Sequence, residues 1–106
     1  MKKRCFAFIG QQEAQHKIIH YWVRGEGREM MPWPRVVIID AEETAMMYRY
    51  AADGTFAGDT WHQSFEDAQA QADYEYAGAL GEWQEIPPDI DNPIEFVKQQ
   101  AQKEQR

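Results

Sequence analysis

From residue 50 to residue 97 the chain contains no lysine or arginine. The same stretch carries Asp53, Asp59, Glu66, Asp67, Asp73, Glu75, Glu82, Glu85, Asp89, Asp91 and Glu95. Binding to a nucleic-acid backbone depends on Lys and Arg that neutralise phosphates, so this body, in a chain of formal charge -7, is unsuited to it. Cysteine is nearly absent as well. Cys5 is alone, which excludes an intrachain disulfide and leaves the cytoplasm as the expected compartment. No apolar run approaches the ~20 residues that span a bilayer. The run Cys5 to Ile9, which follows Lys2, Lys3 and Arg4, is too short for the apolar region of a signal peptide. A membrane is therefore not an expected partner, and anionic lipid would repel the acidic body.

What is present suffices for one folded unit. In 106 residues, 43% are apolar and 13% aromatic, enough hydrophobic material to offset chain entropy. A chain of this length buries roughly two thirds of its unfolded surface, so residues 1–106 are read as a single domain. Its first 35 residues reverse the sign of the body, with Lys2, Lys3, Arg4, Lys17, Arg24, Arg28 and Arg35 against Glu13, Glu26 and Glu29.

Cys5 to Ile9 has the composition of a strand that stops at Gly10. For residues 12–24 two patterns compete. Ala14, Ile18, Tyr21 and Trp22 fit a helical stripe ended by Gly25, and we read this segment as helix; a hairpin about Gly25-Glu26-Gly27 is the alternative. Pro32 and Pro34 make residues 30–34 a rigid connector.

Val36 to Asp40 reads as a buried strand, and Ala45 to Ala51 alternates, with Met46, Tyr48 and Tyr50 on one face and Met47 and Arg49 on the other. Asp53-Gly54 supplies the positive-φ residues of a tight turn into a return strand, Thr55 to His62, where Gly58 marks a bulge. Ser64 and Asp67 form a capping box ahead of Phe65, Ala68, Ala72, Tyr76 and Ala79 at helical spacing. Glu82 to Ile86 returns as a short strand closed by Pro87 and Pro88. Asn92 and Pro93 then start a second helix with an apolar face of Ile94, Val97 and Ala101, frayed from Gln99 onward. The expected fold is α+β: an antiparallel three-stranded meander, plus a fourth strand returned by a helix packed on one sheet face. Residues 1–35 form the basic segment, 36–87 the core unit and 88–106 the C-terminal helix.

Candidate chemistry is sparse. His16 and His20 have metal-ligand spacing on a helix, with His62 a possible third ligand, but no Glu adjoins His16 as the metalloprotease pattern requires. Asp59 and His62 could act as carboxylate and general base, yet they alternate to opposite sides of a regular strand and no elbow serine accompanies them. The plainer reading packs Trp61 under the helix and leaves Ser64 as its cap. Asp89-Ile90-Asp91-Asn92 lacks the glycine and distal glutamate of a calcium loop. No cofactor is indicated.

Met47-Tyr48-Arg49-Tyr50, Asp53-Gly54, Gly58-Asp59-Thr60-Trp61-His62, Tyr74-Glu75-Tyr76 and Trp83-Gln84-Glu85-Ile86-Pro87, read as one unit, resemble small uncharacterised bacterial proteins. The likeness covers residues 46–87. It implies a bacterial source and a shared fold, and carries over no catalytic residue.

Charge asymmetry makes a non-enzymatic interaction module the leading expectation. Asp59, Trp61, Glu66 and Asp73 are its candidate contact residues, and the partner is a basic protein or the basic segment of a second copy. The alternatives are a small-ligand or metal-dependent enzyme centred on Asp59 and His62, and an immunity-type inhibitor acting through the acidic face.

Overall fold

The computed structural model describes residues 2–10, 21–25 and 27–104. In chain order they form β1 (Lys3–Phe8), β2 (Tyr21–Arg24), β3 (Gly27–Met30), β4 (Val36–Ala41), β5 (Ala45–Tyr50), β6 (Phe56–His62), α1 (Phe65–Glu75), β7 (Gln84–Glu85) and α2 (Pro93–Glu104). The main sheet has five antiparallel strands in the order β6-β5-β4-β1-β7, and β2 and β3 make a separate two-stranded sheet. The fold is α+β, with the expected meander at β4-β5-β6. The last strand does not join that meander directly. It pairs with β1, Cys5 opposite Glu85, so the N-terminal strand is inserted between β4 and β7.

Residues 21–24 are strand, which corrects the helical reading of that part of 12–24; residues 12–20 lie outside the described set. Tyr21-Trp22-Val23 is aromatic and β-branched, and pairing with residues 27–30 satisfies its backbone in the extended state. Gly25 turns the chain with φ 59, a conformation cheap only for glycine.

Burial patterns along the strands follow from what covers each sheet face. α1 lays Ala68, Ala72 and Tyr76 on one face, against Ala7, Val37, Ile39, Ala45 and Met47. α2 lays Val97, with Ile94 and Phe96, on the other, against Phe6, Val36 and Ile38. The rings of Phe6 and Phe96 meet edge to face at 6.2 Å. β1 and β4, covered on both sides, therefore need runs such as Val36-Val37-Ile38-Ile39, all buried. Over β5 and β6 the α1 face is covered and the other only at the Tyr50 end, so β5 alternates buried and half-buried residues. This half-open sheet creates the site described below.

Both helices begin as the sequence predicts. Ser64 Oγ accepts from the Asp67 N–H at 3.1 Å, and Asn92 Oδ1 accepts from the Glu95 N–H at 3.4 Å. α2 continues as helix to Glu104, where fraying from Gln99 was expected. Among the described residues, no helix is long and apolar enough to cross a membrane.

Candidate functional site

The site starts from a backbone irregularity in β6. Tyr50 pairs with Phe56 but Tyr48 pairs with Asp59, so β6 holds one more residue than β5 across this interval. Gly58, at φ 112, absorbs the difference as a bulge, as the sequence predicts. Beyond it Thr60 and His62 join Met47 and Ala45 on the α1 side, while Asp59 and Trp61 join Tyr48 and Met46 on the other. Asp59 and His62 are thus held on opposite faces of the sheet and are not brought together.

On the α1 side lies a buried polar network. Arg49 is wholly buried, as is Glu75, and the guanidinium grips the carboxylate in bidentate fashion: Nε donates to Oε1 at 3.1 Å and Nη2 to Oε2 at 2.6 Å. Nε also donates to the Tyr76 hydroxyl at 3.1 Å, Nη2 donates to Thr60 Oγ1 at 3.2 Å, and Gln71 Nε2 donates to Glu75 Oε2 at 2.9 Å. Arg49 Nη1 is buried without a hydrogen-bond partner among the described residues. Thr60 and His62 Nε2 share a hydrogen bond of 2.6 Å. Arg49 donates to Thr60, and with a neutral imidazole protonated at Nδ1 the threonine hydroxyl donates in turn to Nε2. Partial burial and then the Arg49 charge hold the His62 pKa below its ordinary value, consistent with that assignment. Burial pushes the Tyr76 hydroxyl well above the ordinary tyrosine range. This network fastens β5, β6 and α1 together, and His62 and Gln71, beside Asp67, reach a shallow surface depression.

The opposite, uncovered side of β5 and β6 is different in character. Met46, Tyr48 and Tyr50 lie half-buried beside Phe56, Asp59 and Trp61; Tyr50 packs against the α2-side core, and Met46 and Tyr48 lie outside it. Trp61 is 58% exposed and Phe56 37%. Trp61 therefore does not pack under α1. The Met46–Trp61 register turns it away from that helix. Tyr50 and Phe56 pack edge to face at 6.1 Å, and Asp59 stands exposed opposite Tyr48. Burial, followed by the influence of Tyr48 and Asp59, raises the Tyr50 pKa, so that phenol stays neutral near pH 7. The result is an aromatic shelf edged by a carboxylate, to which β5 and β6 contribute no accessible cation.

The other two sequence candidates are elsewhere. Glu66 and Asp73 are exposed, seven residues apart on the outer side of α1, across the sheet from Asp59 and Trp61. The four candidate contact residues thus divide between two surfaces. His16 and His20 lie outside the described residues. Among the described residues no group of three or more His, Cys, Asp or Glu is arranged to hold a metal ion. Cys5 is buried, and burial pushes its thiol up to about 12, which leaves it inert at neutral pH.

Sequence reasoning missed the Arg49–Glu75 pair, although its signal was present. Strand alternation puts Arg49 on the side of Met47, and position 75 falls three residues beyond Ala72 in the buried stripe of α1. Comparison with protein-family models, curated proteins and solved structures finds no match to this chain.

Proposed function

We propose that this protein is a non-enzymatic interaction module that holds a basic segment of a partner protein on the open half-face of β5 and β6. The observation that carries the reading is the exposed Trp61, set among Met46, Tyr48 and Phe56 with Asp59 beside it. Aromatic faces attract Lys and Arg side chains through their quadrupoles, and exposed aromatics are enriched where proteins meet. Asp59, without an ion pair among the described residues, adds an opposite charge, and the carboxylate-rich body supplies a field that speeds encounter with a cationic partner.

A different protein fits this site better than Lys2, Lys3 or Arg4 of a second copy. Lys2, Lys3 and Arg4 are each engaged within their own molecule: Lys2 pairs with Asp40 at 3.5 Å, Lys3 lies 4.2 Å from the centre of the Phe65 ring, and Arg4 donates to the Pro87 carbonyl at 2.9 Å. Asp59 and His62 face away from each other, which removes the geometry that an enzyme centred on them would use.

A peptide array of graded net charge tests the reading. Retention of peptides rich in Arg and Lys, lost with Trp61→Ala, is the expected result. Equal retention of acidic and basic peptides would count against it.

A further inference from the structure

On the α2 side of the sheet, at the end away from Asp59 and Trp61, lies a second concavity of about 360 Å³. Phe8 and Val36 form its floor and Ile94, Val97 and Ala101 of α2 its wall. Two cations, Arg35 and Lys98, stand among these apolar groups, and Arg35 Nη1 donates to the Pro34 carbonyl at 3.2 Å. In a protein of formal charge -7 with no Lys or Arg between residues 49 and 98, cationic lining around an apolar hollow is out of keeping with the rest of the body.

We infer that this pocket binds a small amphipathic monocarboxylate, with its apolar tail against Val97 and Ala101 and its carboxylate between Arg35 and Lys98. Three observations fit that occupant. The volume falls within the range of small-molecule sites, which are apolar hollows with a few convergent polar groups. The cations differ in kind: guanidinium offers a planar fork of donors, and the ammonium a mobile point charge on a flexible stem. Lys98 is also positioned by its surroundings, its stem lying 3.2 Å from where a Cβ at Gly54 would stand, over the β5–β6 turn. Its existing ion pair with Glu95, at 3.6 Å, is long and exposed, so an incoming carboxylate can displace it. A neutral ligand of the same shape would gain the apolar contacts and forgo the charge-assisted hydrogen bonds. Selectivity for the anion follows.

The test is an amide-resolved NMR titration of the whole chain with octanoate, below its micelle concentration, and with octanamide as the neutral isostere. Saturable shifts at Val36, Val97 and Ala101 are expected with octanoate, with roughly tenfold weaker binding of octanamide and a similar weakening in Lys98→Gln. Ala101→Trp fills the hollow from a half-buried position near the end of α2, and should abolish the shifts while the thermal melt confirms folding. Equal binding of octanamide, shifts that survive in Ala101→Trp, or absence of saturation would each overturn the inference. The aromatic shelf takes no part in this site, so Trp61→Ala should leave octanoate binding unchanged.

Discussion

Arg49 occupies a position where strand alternation demands a buried side chain, and its charge is tolerated only because Glu75 meets it with both oxygens. Desolvating two charges costs several kcal/mol, largely recovered by mutual attraction, so the intact pair adds little net stability while either partner alone is a heavy liability. Glu75→Gln should therefore cost about 3–5 kcal/mol in urea denaturation. The double variant Arg49→Met, Glu75→Leu should recover most of that loss, since it also removes the unpaired Nη1 donor. Recovery in the double variant would mark the network as a device for specifying how β5, β6 and α1 dock. His62 gives a second prediction. Its folded pKa is depressed, so the unfolded chain binds the proton more readily in this range. The stability it contributes is present above the ordinary imidazole value of about 6.5 and is lost as pH falls toward the depressed folded value. Denaturation at pH 7 and pH 5 should show a smaller difference for His62→Gln than for the native protein.

Among the elements, β6 decides the character of the site. The bulge at Gly58 turns Thr60 and His62 inward and Trp61 outward; a regular strand continued from Phe56 would reverse them. Gly58→Ala places a side chain at φ 112, and a loss of about 1–3 kcal/mol is expected in thermal or chemical denaturation, together with weakened partner binding. The turn before it carries a correction: Gly54 alone is positive, at φ 90, while Asp53 keeps an ordinary negative φ and accepts from the Thr55 N–H at 2.9 Å. The meander, the capped α1 and the start of α2 were legible because each has a local cause: alternation, a glycine turn, or an N-cap. The bulge was legible from a lone glycine in a strand pattern. Placement of β1 between β4 and β7 was not, because pairing partners far apart in sequence leave no periodic trace. The same limit hid the exposure of Trp61. Whether a strand face is covered depends on where α2 crosses the sheet, which no local pattern encodes.

For the whole molecule, the two helices leave the sheet unevenly dressed. One face is covered by α1; the other is covered by α2 over β1, β4 and the Tyr50 end of β5, and Met46 and Tyr48 fall outside that core. The carboxylates of the body are likewise unequal in role: Glu75 neutralises Arg49 in the interior, Asp53 fastens a turn, and Asp59 stands free beside the aromatic shelf. The charge asymmetry legible in the sequence is thus spread over more than one surface, and at the aromatic shelf it is carried by Asp59. The most direct test is calorimetric titration of an array-selected basic peptide into the native protein, Trp61→Ala and Asp59→Asn, at low and high salt. The account predicts affinity that falls with salt and drops roughly tenfold or more in Trp61→Ala without loss of folding. Binding that is indifferent to salt and undiminished in Trp61→Ala would contradict it.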